Sequence, residues 1–534
     1  MNQTNIPFQA KSTARRRPPS SATLLNLQVG RGPRSGRLYQ QIREAIRGPI
    51  LAGEMSGRRL PPTREMAAAL GVNRATVARA YQELEADGLV ESRGARGTVV
   101  AAGGWSQSTP PPPNGGGTPT WVSALPPFPE SGLSADPTLI RDVTAQSRRP
   151  DFISFAAAAP EPELLPAGLV ERAVSEGLDR WGPGILGYSP VDGLELLRET
   201  LARTLAEPLL ASGESMMIVS GATQGLSLSA RTLIEPGDEV AVEAPTYFGM
   251  LQTFALAGAR LVGIPVDRHG IRVDHLEAML AQRRIRLIIV QPRFQNPTGA
   301  VLSADRRAHL LLLARRHGIP VLEDDLYGAL DLDGGAPPPL KQDDHAGSVI
   351  YLSSFSKSIS PGLRIGWIVA QEPVINRLVV AKQFSDLTSN ALGQLVVAEL
   401  LASGSYASHV DAVRVEYRRR RGALVESIRG ALTGRLEPTF VPGGGSHLWC
   451  RLAPGIDARA LVAAAMRHKV ALTPGDAFYP PNPLRTDAGH DRVRMSFTAV
   501  PAERMAEGID RLARAVDSLP VAQSVVSEGT GILV

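Results

Sequence analysis

Between Ala101 and Pro119 the chain reads AAGGWSQSTPPPPNGGGTP, a segment that divides whatever folds on either side of it. Its proline run is stiff and its glycine run is loose, and neither can bury a core. Extended at ~3 Å per residue, it spans roughly 60 Å. The whole chain has 534 residues, too many for one ordinary core, so two or more domains are expected. The reading is a disordered basic arm (1–35), a small module (36–100), a Pro/Gly linker (101–120), a large module (121–519) and a loose tail (520–534). The arm holds no acidic residue, and Pro18, Pro19 and Pro33 spoil the amphipathic helix that a transit peptide needs.

Charge is split along the same line. The net charge is +5, yet residues 1–105 hold 16 Lys+Arg against 7 Asp+Glu, leaving 41 against 45 in the remainder. A basic front on a mildly acidic body implies that only the first module meets a polyanion. The single cysteine, Cys450, excludes an internal disulfide and a Cys-based zinc site, and no metal site is expected. No apolar run is long enough to span a bilayer, so no membrane partner is expected. A cytoplasmic protein fits this cysteine usage.

Within the small module, Leu38–Leu51 carries Leu38, Ile42, Ala45 and Ile46 on one helical face, with Gly48-Pro49 expected to kink or interrupt it. Thr63 is placed to cap a short helix whose Met66, Ala67 and Leu70 face inward. Gly71-Val72 makes a turn, and Asn73 is placed to cap the next helix. There Val77, Ala80, Tyr81 and Leu84 form an apolar stripe at i, i+3, i+4, i+7. Arg79 points away from that stripe, Thr76 flanks it and Arg74 sits in the first turn. Leu89–Val100, with Gly94 and Gly97, reads as a two-stranded wing. Leu60-Pro61-x-x-Arg64, Arg74-x-Thr76-Val77, Ala80-Tyr81, Gly88-Leu89 and Gly97-Thr98 together resemble the GntR-type winged helix-turn-helix. That resemblance implies that Arg64, Arg74, Thr76 and the wing around Gly97 contact double-stranded DNA, with Asn73 and Arg79 of the same helix region counted among the DNA-binding positions. An arginine fork at the start of such a helix suits guanine O6 and N7 in the major groove.

The large module alternates β-rich runs (216–219, 239–242, 286–290, 319–322, 349–352) with helical stretches, the pattern of a mainly parallel, doubly wound sheet. Its polar motifs fall just after those runs. VLEDDLYG supplies Asp324 and Tyr327. YLSSFSKSISPGLRIGW supplies Ser354, Lys357 and Arg364. IIVQPRFQNPTG supplies Asn296. MMIVSGATQGLSL opens a helix at Ala222 and Thr223, where backbone amides favour an anion. EAPTY holds Tyr247, GYSPVDGLELLR holds Tyr188 and VRMSF holds Arg494. Such a set serves pyridoxal-phosphate chemistry: an amine nucleophile, a carboxylate for the pyridinium nitrogen, donors for a phenolic oxygen, a phosphate cradle and a carboxylate clamp.

In this order the motifs resemble a fold-type-I aminotransferase domain over nearly all of residues 121–519. The resemblance implies a mainly parallel seven-stranded sheet with a smaller C-terminal α+β subdomain. It also assigns roles. Lys357 is the Schiff-base lysine. Asp324 partners the ring nitrogen, while Tyr327 and Asn296 hold the phenolic oxygen. Ser354, Arg364, Ala222 and Thr223 bind phosphate, and Tyr247 stacks on the ring. Tyr188 reaches a neighbouring subunit's phosphate, which makes a homodimer. Arg494 clamps a substrate carboxylate. One departure stands in ISFAAAAPEPELLP, where Ala158 replaces a glycine of the family pattern and narrows the space beside that carboxylate.

A GntR-type module, a linker and an aminotransferase-type domain in one chain resemble the layout of the MocR family of bacterial regulators. That layout implies a regulator that binds operator DNA, in the cytoplasm and on the nucleoid when DNA-bound, and senses an amino compound through transaldimination at Lys357. The alternative is an aminotransferase acting on an α-amino acid with DNA binding secondary, since Lys357, Asp324 and Arg494 are all present.

Overall fold

The structure, a computed structural model, describes residues 38–101 and 149–519 except 52–54, 56–57, 88, 93–96, 206, 211–212 and 482–487, together with Val143 and Ala145. The expected arm, the tail and all of the linker but Ala101 lie outside the described residues. The chain divides into two units, residues 1–126 and 127–534.

The first unit is built on α1 (Leu38–Leu51), α2 (Thr63–Leu70) and α3 (Arg74–Ala86), followed by β1 (Val90–Ser92) and β2 (Thr98–Val100). Ile42, Ile46 and Ile50 recur every four residues on α1 and are all buried. They pack with Val77, Ala80, Tyr81 and Leu84, the stripe of α3. Of the expected kink or interruption at Gly48-Pro49, the interruption does not occur: α1 runs on to Leu51. Pro49 lies in the last turn, so few helical bonds depend on it, and buried Ile50 holds that turn to the core. Thr63 is not a cap either. Pro62 takes the capping position of α2, and the Thr63 hydroxyl instead accepts from Arg74 Nε at 3.4 Å. Gly71 ends α2 at φ 62°, a left-handed conformation suited to glycine. Asn73 caps α3 as expected, its side chain accepting from Ala75 N at 2.9 Å. β1 and β2 pair antiparallel, and residues 58–60 add a third extended segment through Leu60 N to Thr98 O (2.9 Å) and Val100 N to Arg58 O (2.8 Å).

The second unit begins, after β3 (Ile153–Ser154), with helices α4 (Ala167–Trp181) and α5 (Glu195–Thr204). A large sheet follows. Its strands are β4 (Glu214–Val219), β5 (Glu239–Ala244), β6 (Arg260–Asp267), β7 (Gly270–Ile271), β8 (Ile285–Val290), β9 (Val321–Asp324), β10 (Val349–Ser354) and β11 (Gly366–Gln371). Their order is β4-β11-β10-β9-β8-β5-β6-β7. The pairs from β10 to β6 are parallel, whereas β11 runs antiparallel to both its neighbours. The expected seven strands are joined by an eighth, the two-residue β7, because the turn after Asp267 folds the chain back on β6.

Helices cover both faces, so the central strands read as continuous apolar runs. All six residues of β10 are buried. Alternate β4 residues enter different cores: Met217 and Val219 pack with α6 (Ala222–Leu233), α7 (Phe248–Leu256) and α8 (Glu372–Gln383), while Met216 and Ile218 pack with α4, α5 and α9 (Ala391–Ala402). Truncating a residue such as Leu352 to Ala in this packing costs about 3 kcal/mol.

A C-terminal four-stranded sheet contains strands Leu436–Pro438, His447–Leu452, Arg492–Ser496 and Thr473–Pro474 in that order. The long helix Ser405–Ala431 and the helices Ala458–Arg467 and Met505–Asp517 pack against it. This is the expected smaller subdomain. No helix among the described residues is long and apolar enough to cross a membrane.

Candidate functional site

β4, β5, β8, β9 and β10 all point their C-terminal ends to one edge, and the loops leaving those ends converge there, as ligand sites of open α/β sheets do. A cavity of about 510 Å³ lies among them. The turn after β4 brings Ala222 and Thr223, that after β5 brings Tyr247, and that after β8 brings Asn296. Tyr327 follows β9. Lys357 and Arg364 follow β10. Arg494 comes from the C-terminal sheet, and Ala156 to Ala159 line another wall.

Lys357 Nζ donates to the Ala158 carbonyl at 2.6 Å. Burial, then Arg494 and Arg364, push its pKa down to about 8, opposed by Asp324. Asp324 ends β9, 1% exposed, and burial lifts its pKa to about 7 against a hydrogen bond from Gln291. Gln291 Nε2 reaches Asp324 Oδ2 at 2.7 Å, whereas buried Asp324 Oδ1 has no hydrogen-bond partner. Tyr327 is buried edge-on to the His447 ring at 5.4 Å, and burial raises its hydroxyl above the ordinary phenol range. His447 is held neutral by burial and by nearby Arg494 and Lys357.

Arg494 is 4% exposed and anchored on one side. Its Nη2 donates to Ala156 O (2.8 Å) and Thr473 Oγ1 (3.3 Å), and its Nη1 to Asn296 Oδ1 (3.2 Å). Its Nε has no partner, and burial pulls the guanidinium down to about 10. Since Asn296 Oδ1 already accepts from Arg494, the Asn296 amide nitrogen is the atom left to donate into the cavity. Arg364, at φ 56°, donates to Ser220 O at 3.0 Å. Its guanidinium occupies the space beside Gly221, where a Cβ would lie 2.5 Å from Nη2, so only glycine fits that turn.

Three expected residues do not line the cavity; Asp324 is one, and it meets the wall through its bond from Gln291. Ser354 does not line the cavity; its hydroxyl donates to Ile365 O at 3.0 Å and lies 2.9 Å from Ser356 Oγ, and Ser356 is the serine on the wall. The β10 alternation turns Ser354 inward, and the turn then presents Ser356. Tyr188 is 88% exposed and lies outside its own chain's cavity, beside Leu186 and residues 388–392. The sequence reading missed Gln291 and Ser356 on the wall and Glu243 behind it. Glu243 accepts from Gln291 N (3.1 Å) and Gln295 Nε2 (3.3 Å). A charged residue in the middle of the apolar run EVAVEA was the available signal for Glu243.

In the first unit, Arg64 and Arg74 are exposed on the first turns of α2 and α3, and Thr76 is half-buried. Asn73 spends its carboxamide on the cap. Arg79 lies over the Tyr39 ring at 4.3 Å and 3.8 Å from Glu83. Gly97, at φ 78°, has the Arg59 guanidinium where its Cβ would be, which makes Arg59 a wing residue that the sequence reading passed over.

The donor set fits pyridoxal phosphate. A lysine, hydroxyl and amide donors, and a helix N-terminus beside an arginine surround one cavity, and a buried carboxylate with one bare oxygen is bonded to its wall residue Gln291. Residues 161–512 match the family Aminotransferase class I and II, and residues 38–100 match Bacterial regulatory proteins, gntR family. The chain is 33% identical over 448 residues to the HTH-type transcriptional regulator YisV of Bacillus subtilis, covering 82% of this chain and 89% of that one. To the probable rhizopine catabolism regulatory protein MocR of Rhizobium meliloti it is 29% identical over 495 residues, 89% and 93% of the two chains. Among solved structures, the kynurenine aminotransferase of Pyrococcus horikoshii superposes with a TM-score of 0.69 at 33% identity, over 74% of this chain and 98% of that one. The chain therefore belongs to the aminotransferase class I and II family, in the MocR-type arrangement that sets a gntR-family DNA-binding domain ahead of the aminotransferase domain.

Proposed function

We propose that this chain is a pyridoxal-phosphate-dependent transcription regulator in which an amino compound, taken up at Lys357, changes binding of the gntR-type domain to operator DNA. The observation that carries the reading is the presence in one chain of a cavity lined by Lys357, with Asp324 bonded to its wall residue Gln291, and a winged helix with exposed Arg64 and Arg74. Pyridoxal phosphate supplies a carbonyl carbon for an amine and a ring that withdraws electrons. The residues do the rest. Lys357 presents the amine and exchanges it for that of the effector. Asp324 offers its bare oxygen to the ring nitrogen. Asn296 and Tyr327 donate to the phenolic oxygen, and Tyr247 covers a ring face. Ala222, Thr223, Arg364 and Ser356 hold phosphate, with Ser354 behind Ser356. Arg494, pre-positioned by three acceptors, receives a carboxylate, and Ala158 limits the space beside it.

A homodimer follows from the same reading. Tyr188 (88% exposed), Leu186 (60%) and Phe384 (80%) leave large apolar groups on the surface, and Tyr188 in this arrangement serves the partner's phosphate site. On the DNA side, Arg64, Arg74, Thr76 and the wing around Gly97 and Arg59 meet the duplex. Asn73 and Arg79 support α3 and contact phosphate at most. A regulator of this kind works in the bacterial cytoplasm.

The test is a mobility-shift titration of the cofactor-loaded protein against DNA from upstream of its own gene, at fixed salt with competitor DNA. Specific binding altered by an amino compound supports the regulator. Binding no tighter than to random DNA, together with turnover of an amino donor and a 2-oxo acid, supports the second reading, an aminotransferase, which the complete set of Lys357, Asp324 and Arg494 favours.

A further inference from the structure

Gln291 is the first residue beyond β8 and is 2% exposed. Three bonds converge on it. Its backbone N donates to Glu243 Oε2 (3.1 Å), its Oε1 accepts from Asn296 N (3.0 Å), and its Nε2 donates to Asp324 Oδ2 (2.7 Å). One carboxamide thus touches both Asp324 and Asn296, the residues assigned to the ring nitrogen and the phenolic oxygen in the proposed function, on which this inference rests.

The carboxamide has only one workable orientation. A backbone N–H can only donate, so Asn296 N fixes the Gln291 oxygen toward itself. The amide nitrogen must then face Asp324. Reversal would set two donors against each other at Asn296 and an oxygen against a carboxylate at Asp324, at a side chain that is 2% exposed. The locked N–H bonds the ionised form of Asp324, whereas burial and Asp325 act against ionisation and Lys357 for it. The other titratable groups facing this acid are Glu243, Tyr247 and Tyr327.

We propose that Gln291 is a positioning residue that holds Asp324 as a hydrogen-bond acceptor with its free oxygen toward the cofactor's ring nitrogen, and so keeps that nitrogen protonated. Removing its N–H makes the carboxylate more basic and draws the shared proton from the ring to Asp324. Gln291→Met keeps the length of the side chain without donor or acceptor. Gln291→His restores both, since a neutral imidazole carries one N–H and one bare nitrogen.

The experiment loads the full-length protein with pyridoxal phosphate labelled with 15N in the ring and reads the ring nitrogen's protonation by NMR across pH. The expected result is a protonated nitrogen at neutral pH in the parent and in Gln291→His, and loss of that proton in Gln291→Met. A ring nitrogen that stays protonated in Gln291→Met overturns the proposal. Where Gln291→Met fails to retain cofactor, the cofactor-free proteins decide. The Asp324 carboxyl infrared band, identified by difference against Asp324→Asn, is expected to titrate about one pH unit higher in Gln291→Met than in the parent. An identical midpoint overturns the proposal. A parent protein that takes up no pyridoxal phosphate sinks the reading of the site itself, while the carboxyl titration still answers for Gln291.

Discussion

Lys357 and Asp324 are buried ionisable groups whose lost solvation opposes their charge, and their mutual attraction opposes that loss. For Lys357 the balance leaves a folded pKa of about 8, below the ordinary lysine value. The folded state therefore sheds a proton before the unfolded chain does, so this residue's contribution to stability rises as pH climbs from about 8 toward the unfolded value, and is unfavourable below it. The unprotonated amine is the nucleophile, so uptake of pyridoxal phosphate by the cofactor-free protein is expected to accelerate with pH around a midpoint near 8. Stopped-flow absorbance checks this, and a rate still rising tenfold per unit at pH 9.5, a value chosen as roughly midway to the ordinary lysine pKa, contradicts it. Arg494→Gln is expected to weaken amino compounds that carry a carboxylate by roughly 10- to 100-fold and leave simple amines unchanged. Spectral titration of the loaded protein separates the two groups. Lys357, Asp324 and Arg494 were legible in the sequence because their chemistry requires those residue types, and each stands in or just beyond an apolar strand. Gln291 was not, because its importance lies in what it touches across three strands, and Ser356 was not, because two serines two residues apart differ only in which way the turn faces them.

The elements show a similar division between local and distant causes. Asn73 announces the start of α3 by its own chemistry, and its cap is present at 2.9 Å. Asn73→Ala is expected to lower the stability of the first unit by about 1 kcal/mol, read as a lower unfolding midpoint in the full-length protein. Thr63 has the same capping chemistry but is drawn to Arg74, a residue on the following helix, and Pro49 is tolerated because Ile50 is buried beyond it. Both outcomes depend on neighbours that a local pattern does not contain. β11 is the strand that makes the sheet only mainly parallel, because it returns from β10 by way of the turn that carries Lys357 and Arg364, not through a helix. On α2, Arg64→Ala is expected to reduce specific DNA binding more than non-specific binding in competition shifts, and equal losses would show that Arg64 touches only phosphate.

For the molecule as a whole, the cavity is built from segments as far apart as Ala156 and Arg494, and its floor from the ends of five strands. The fold class was legible because strand and helix patterns alternate regularly; the convergence of the loops follows from parallel pairing, which no single motif states. Tyr188→Ala tests the molecule at this scale. It is expected to raise the dissociation constant for pyridoxal phosphate severalfold without altering the far-ultraviolet spectrum, and an unchanged constant removes Tyr188 from the partner's site. A chronological consequence follows from where Lys357 and Arg494 sit in the chain. The ribosome makes the helices of the first unit before it reaches Lys357 and Arg494, since residues 38–86 precede both in the sequence. On the proposed function, a polypeptide clipped between residues 126 and 357 would keep Arg64 and Arg74 and would lack Lys357, Arg364 and Arg494. Such a fragment would be expected to hold DNA without any response to an amino compound.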